Sequence, residues 1–322
     1  MGGLPRSVEE IEVRLGDGSR LHGEVYGDRH ARVTVIFLHG WTLDRRSWHR
    51  QLPALVNEVG LPTRLIAYDA RGHGRSSPIS RSAATLGQLA DDLAEVIAQA
   101  APDGPVVLVG HSLGGMTAIE YAHRHPESFA QRVGGLVMVS TTAEGHTHTR
   151  YGLPAGLGRI VRMAELTSTY VLARCGERHP HRAVMHAIRP AMRWLLFGDE
   201  CDPDDLRLSA SAVARASLRS IGSFRASISE QQRLDTLAGL ERRLSAAVLV
   251  GDRDRLTPLA CAQGIADALG GVEVTLCAGA GHMLMMERPA EVTTEIARVA
   301  REAAGGTRTA GPPDAPGIAA AA

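Results

Sequence analysis

Short, nearly continuous apolar runs recur along the chain. They occupy residues 33–38, 64–69, 106–110, 135–140 and 246–251, with a weaker run at 272–277. Runs of this kind are typical of strands buried on both faces of a parallel sheet. Between them, apolar side chains recur at helical spacing over residues 86–99, 116–125, 259–269 and 290–303. The alternation of the two patterns predicts an α/β fold with helices on both faces of the sheet.

The first part of the chain has a different pattern. Residues 8–15 and 21–26 flank the turn sequence Gly16–Ser19, and we interpret them as a β-hairpin. With the six later runs, this hairpin predicts a mostly parallel, eight-stranded sheet.

One long segment lacks any strand pattern. Residues 144–240 are rich in arginine and contain several short helical stretches, so we expect a helical cap inserted after the sixth strand. The Gly-, Pro- and Ala-rich tail is typical of a disordered segment. The predicted organisation is a first core part at 1–143, a cap or lid at 144–240, a second core part at 241–304 and a disordered tail at 305–322.

Composition narrows the range of partners. The 35 basic residues, all arginine, balance 35 acidic ones, so no net field attracts nucleic acid or anionic lipid. The absence of lysine excludes Schiff-base chemistry, and no apolar run is long enough to span a membrane. Four separated cysteines and an N-terminus without a signal-peptide pattern predict a cytoplasmic protein with reduced thiols, a Cys175–Cys201 disulfide being the less favoured alternative. We expect no cofactor and no metal.

The sequence Gly110-His111-Ser112-Leu113-Gly114 follows a predicted strand and precedes a predicted helix. This G-x-S-x-G pattern is that of a nucleophile elbow, in which small residues are needed where the tight turn brings backbones together. The helix beginning behind the serine directs free N–H groups towards any negative charge that develops there.

A serine hydroxyl is a poor nucleophile without a base, so the hypothesis requires a histidine oriented by a carboxylate. Asp252 and Asp254 follow the strand at 246–251, and His282 follows the strand at 272–277. The order serine, acid, histidine is the one expected of this elbow, and both loops leave the carboxyl ends of strands.

Four motifs in register give the chain a clear resemblance to the α/β-hydrolase fold family. They are HGW at 39–41, DARGHGRS at 69–76, GHSLGG at 110–115, and GDRDRLTP at 251–258 with GAGHMLMMERP at 279–289. The resemblance covers roughly residues 8–303 apart from the cap. It implies Ser112 as nucleophile, His282 as base and Asp254 as acid, with Asp252 as the less favoured acid. It also implies an oxyanion hole made of the backbone N–H groups of Trp41 and Leu113.

The same resemblance implies hydrolysis of a small-molecule ester, with a small to medium apolar acyl group or a lactone ring. Epoxide hydrolases and haloalkane dehalogenases carry Asp at the elbow, so Ser112 argues against both. Trp41 after the HG pair resembles the cofactor-free perhydrolases, which makes peracid formation an alternative activity. A small-molecule receptor with little turnover is a further alternative.

Other polar residues in these motifs favour structural roles. We expect Asp69, His39 and His111 to support loops or packing, and the histidines at 146 and 148 to lie in a solvated loop rather than bind a metal. The methionines at 283, 285 and 286 favour helix packing over an acyl pocket.

Overall fold

The computed structural model describes residues 8–27, 30–145, 147–149, 151–240 and 244–306. The strands are β1 Glu9–Arg14, β2 Arg20–Gly27, β3 Val33–Leu38, β4 Thr63–Tyr68, β5 Val106–His111, β6 Val133–Val139, β7 Ser245–Gly251 and β8 Val274–Cys277. The α-helices are α1 Gln51–Glu58, α2 Leu86–Ala100, α3 Leu113–Arg124, α4 Pro126–Arg132, α5 Ala155–Leu172, α6 Arg182–Leu196, α7 Pro203–Arg215, α8 Leu218–Glu230, α9 Leu234–Ala238, α10 Leu259–Ala268, α11 Leu284–Glu287 and α12 Pro289–Gly305.

The strands form one eight-stranded sheet in the order β1-β2-β4-β3-β5-β6-β7-β8. Only the pairs β1–β2 and β2–β4 are antiparallel, and β3 to β8 pair in parallel with Leu38 opposite Gly110. The predicted α/β fold with a mostly parallel eight-stranded sheet is therefore confirmed.

Side chains of the central strands alternate between two apolar layers. Ile36 and Leu108 pack with helices α2, α3 and α10 on one face. Val35 and Val107 pack with helices α1 and α12 on the other. Because both faces are covered, every residue of β3 and β5 is buried, which explains the unbroken apolar runs.

Some helices depart from the sequence pattern. Helix α3 begins at Leu113 rather than at residue 116, because its first turn is Leu113-Gly114-Gly115 and carries little apolar periodicity. The helices α1, α4 and α11 have eight, seven and four residues, too few for a periodic signal. The predicted tail is corrected at its start, since Gly305 is the last residue of α12, and residues 307–322 lie outside the described part of the chain.

Between β6 and β7 the described chain forms only helices, α5 to α9, which we call the inserted helices. Four of them have 13 to 18 residues, longer than the short stretches expected. Helix α5 packs against α8, and α6 packs against α7.

Two further predictions concern disulfides and membrane-spanning helices. The four cysteines are free. Among the described helices, none has both the length and the apolar character needed to cross a membrane.

Candidate active site

Ser112 forms the turn between β5 and α3. Its backbone has φ 50° and ψ −116°, a conformation that a serine adopts only under constraint from its surroundings. A Cβ on Gly110 would lie 2.5 Å from backbone atoms of Gly115, and one on Gly114 would lie 2.1 Å from the Leu38 carbonyl oxygen. The two glycines are therefore required by the close approach of α3 to the strands.

Asp254 follows β7 and is 5% exposed. Its Oδ1 accepts hydrogen bonds from the backbone N–H groups of Leu256 and Thr257, both at 2.9 Å, and its Oδ2 accepts from Thr257 Oγ1 at 2.8 Å. Burial opposes ionisation of this carboxyl, but His282 and these donors outweigh burial and lower the pKa of Asp254. The group is therefore held as a carboxylate.

His282 lies in the loop after β8 and is 4% exposed. Its Nδ1 donates to Asp254 Oδ2 at 2.9 Å, which leaves Nε2 as the free base of the ring because a carboxylate can only accept. The backbone of the same residue is held by two further bonds, from its N–H to Leu196 O and from His111 Nε2 to its carbonyl, both 2.9 Å long.

The serine and the histidine are brought together through His111. The His111 ring, next to Ser112 in the chain, lies 4.8 Å from the ring of His282. Within the described residues no hydrogen bond joins Ser112 Oγ to His282. Such bonds often tighten only when a substrate is bound, so this geometry is compatible with general-base catalysis.

Two backbone N–H groups flank the serine. Leu113 is the first residue of α3, and Trp41 follows the loop after β3; across the described chain, neither N–H donates a hydrogen bond. The loop is held close to the elbow, because a Cβ on Gly40 would lie 2.6 Å from His111 Nδ1. Neither predicted donor is therefore engaged elsewhere within the described chain.

The remaining residues of the motifs act mainly on structure. Asp69 is fully buried and accepts from the N–H groups of Arg45 and Arg75 and from the Arg45 guanidinium, each at 2.9 Å. His39 accepts from the N–H of Ala70 at 2.9 Å. Asp252 accepts from Gly279 N–H at 2.8 Å, so of the two candidate acids it is Asp254 that contacts His282.

Two alternatives concern a metal site at the histidines of the loop after β6 and an acyl pocket lined by the methionines after β8. His146 lies outside the described residues, and His148 Nε2 contacts Glu144 at 3.1 Å. Among the described residues there is no group of three His, Cys, Asp or Glu side chains that could hold a metal ion. Met283, Met285 and Met286 are buried in the apolar layer with α12, in agreement with a packing role.

Sequence reasoning missed two residues. Thr257 donates its hydroxyl to Asp254, and a short polar residue three positions after an Asp is a turn signal that points to it. Glu287 accepts from the N–H groups of Gly198 at 2.7 Å and Gly281 at 3.0 Å, and burial raises its pKa despite these bonds. The Glu287 side chain therefore joins the end of α6 to the loop that carries His282. No local sequence pattern predicts this contact.

Helix α8 lies over the elbow. Its Phe224 and Ile228 share an apolar cluster with Leu113 and Met116, and the indole of Trp41 packs against the same cluster. Trp41 Nε1 also donates to the carbonyl of Ser220 at 3.5 Å. The inserted helices therefore contact the site directly.

The assembled site can activate a hydroxyl. A histidine oriented by a buried carboxylate contacts His111, which precedes a serine in a strained turn, and two nearby loop and helix N–H groups have no partner among the described residues. This combination is the one that nucleophilic catalysis by serine requires.

Comparisons with known proteins agree with the fold. RutD of Variovorax paradoxus is 29% identical over 272 residues, which are 81% of this chain and 89% of that protein. The bifunctional esterase/perhydrolase DCH of Acinetobacter calcoaceticus is 36% identical over 114 residues, 35% of this chain and 39% of that protein. Several other curated relatives are likewise matched over less than half of their own length.

Solved structures show the same architecture. An esterase from Exiguobacterium antarcticum is superposed with a TM-score of 0.73 at 22% identity, over 90% of this chain and 99% of that chain. At this identity the likeness concerns the fold. A family model described as the alpha/beta hydrolase family matches residues 35–295. Because that match covers most of the chain, this protein belongs to the alpha/beta hydrolase family.

Proposed function

We propose that this hydrolase cleaves carboxylic esters, or lactones, through an acyl-enzyme on Ser112. The observation that carries the proposal is the buried Asp254–His282 pair beside the strained serine. The likeness of the chain to an esterase/perhydrolase supports it, and the apolar surroundings of the elbow favour a small to medium apolar acyl group.

In the proposed mechanism, His282 Nε2 takes the Ser112 proton as Oγ attacks the acyl carbonyl. Asp254 keeps the other ring nitrogen protonated and stabilises the imidazolium that forms. The N–H groups of Leu113 and Trp41 bind the oxyanion, each donor contributing about 3 kcal/mol to transition-state stabilisation. The alcohol leaves with the proton from His282, and water activated by the same ring then releases the acid.

In this proposal, residues 144–240 form a cap that contains the inserted helices. Residues 1–143 and 241–304 form the hydrolase core. Two contacts support the assignment. Phe224 packs beside the elbow, and Glu287 joins the end of α6 to the histidine loop. A cap tied to both the nucleophile and the base would select the substrate and shield the acyl-enzyme from bulk water.

The decisive experiment is hydrolysis of p-nitrophenyl esters from acetate to decanoate by the wild type and by Ser112→Ala. We expect turnover by the wild type that favours short to medium chains, and a loss of kcat/KM of roughly 10³-fold or more in the variant. Ser140→Ala is the matched control, because Ser140 is a buried serine that also has a positive φ, 45°, at the end of β6. Equal rates for Ser112→Ala and the wild type would exclude the serine mechanism.

Peracid formation is a second candidate activity. Trp41 lies at the position after the His-Gly pair, and the chain is similar to a protein named as an esterase/perhydrolase. Hydrogen peroxide would replace water, so that a carboxylic acid and peroxide give a peracid and water. Bromide oxidation dependent on acetate, peroxide and Ser112 tests this activity, and its absence at high enzyme concentration would exclude it.

A further inference from the structure

A groove of about 580 Å³ lies between helices α5 and α8, away from the serine. Helix α8 separates the two. Its residues Ser220, Phe224 and Ile228 recur every four positions and face the elbow, while Gly222 and Ala226 line the groove. The volume is within the range typical of small-molecule sites.

The groove is strongly basic. Arg81, Arg174 and Arg225 line it, and none of the described residues in its wall is acidic. Arg81 and Arg174 are exposed, and no ion pair within the described structure neutralises either one. Arg174 instead lies over the ring of Tyr170, 3.4 Å from its centroid, and donates to the carbonyl of the same residue. Two positive charges therefore line the groove without an acidic partner among the described residues.

Two buried polar groups in the wall also lack partners. The Arg225 side chain is 2% exposed and is paired with Glu165 through Nη2, yet within the described chain its Nε–H has no acceptor. The Ser223 hydroxyl is buried and likewise has no partner among the described residues. Both atoms lie beneath the surface of the groove, so the charges that a ligand in the groove can contact are those of the exposed Arg81 and Arg174.

Much of the rest of the wall is apolar. Leu166, Ala173 and the Tyr170 ring face the same space as the arginines. An anion without a hydrocarbon part would leave this surface in contact with water, whereas an amphiphile would cover it. Arginine forks match carboxylates in geometry.

We propose that the groove between α5 and α8 binds a small organic carboxylate, with its head at Arg81 and Arg174 and its apolar body against Leu166 and Tyr170. This site is separate from Ser112, and the proposal does not depend on the catalytic activity.

Isothermal titration calorimetry with octanoate tests the proposal. We expect one octanoate per chain at the groove, and at least tenfold weaker binding to the double variant Arg81→Gln/Arg174→Gln. The matched control is Arg182→Gln/Arg207→Gln, which removes two exposed arginines outside the groove and is expected to bind as the wild type does. Because all four arginines are exposed, these variants are expected to fold.

Two further binding measurements test whether the ligand's charge is needed and whether it binds in the groove rather than in the active site. Octanol, which lacks the charge, should bind at least tenfold more weakly than octanoate, and Ala226→Leu, which fills the groove, should abolish binding. Tighter binding of octyl phosphate than of octanoate would overturn the assignment to a carboxylate. Undiminished octanoate binding in Arg81→Gln/Arg174→Gln, or no binding to the wild type at millimolar concentration, would overturn the site itself.

Discussion

The sheet and the inserted helices are both rich in apolar residues but bury them to very different extents. Every residue of β3 and β5 is buried, with helices on both faces. In α5, by contrast, Ile160 is 67% exposed and Met163 is 62% exposed, and in α6 Trp194 is 43% exposed. The inserted helices therefore leave large apolar side chains exposed to solvent, whereas the central strands do not.

Under the proposed function, this difference separates the residues that carry the chemistry from the helices that select the substrate. Ser112, Asp254 and His282 lie at strand ends, where backbone contacts and buried hydrogen bonds constrain them from several sides. Helix α8 meets this framework mainly through Phe224 and Ile228. A closely packed scaffold fixes reacting groups, while a more loosely packed layer can change without loss of the fold.

The largest expected effect is at the acid. Asp254→Asn should lower kcat by roughly 10³–10⁴-fold, because an amide cannot hold the His282 tautomer or stabilise its charged form. Asp252→Asn is the matched control two residues away, and it should change kcat by no more than about threefold, since that side chain contacts Gly279 and Arg253 rather than His282. Steady-state kinetics on a p-nitrophenyl ester measures both. A large loss in Asp252→Asn with little loss in Asp254→Asn would reverse the assignment.

A pair of isoleucines tests the packing difference itself. Ile36→Ala in β3 should cost about 3–4 kcal/mol of unfolding free energy, because the residue is fully buried and leaves a cavity. Ile160→Ala in α5 removes the same atoms from an exposed position and should change stability by about 0.5 kcal/mol or less. Urea unfolding followed by circular dichroism measures both values. Similar costs for the two variants would show that the α5 surface is covered in solution.

The sequence predicts the core well and the inserted helices poorly, for the same physical reason. In β3 and β5, burial on both faces leaves an unbroken apolar run that marks the strand and its limits. In α5 and α6, packing covers only part of each helix, and Pro190 lies within α6, so periodicity underestimates their length.

The candidate site likewise has a part that the sequence predicts and a part that it does not. The order of Ser112, Asp254 and His282 follows from strand ends and a family resemblance. The contact of Glu287 with Gly198 joins residues 89 positions apart in the chain, and only the folded structure reveals it. The same holds for the groove between α5 and α8, whose arginines come from three separate segments.

The smallest predicted effect is a loss of unfolding free energy in acid. It again compares the core with the inserted helices, here through their histidines. In the core, burial and the neighbouring His282 ring lower the pKa of His111 to about 3. Burial and the neighbouring His39 ring likewise lower the pKa of His73 to about 3. Between pH 3 and the ordinary value near 6.5, the unfolded chain therefore binds protons that the folded chain does not. Stability is complete above pH 6.5 and falls as the pH drops below it.

From pH 7.5 to 5.5, each of these histidines should remove about 1.4 kcal/mol of unfolding free energy. The Asp254 carboxyl adds nothing here, because its lowered pKa shifts its own contribution to more acidic conditions. His111→Gln keeps a donor for the His282 carbonyl but does not titrate, so its stability should fall by about 1.4 kcal/mol less than that of the wild type. His186→Gln, on the exposed surface of α6, is the matched control. An equal loss for His111→Gln and the wild type would mean that the His111 ring gains its proton in the folded protein, and the packing against His282 would then have to open in acid.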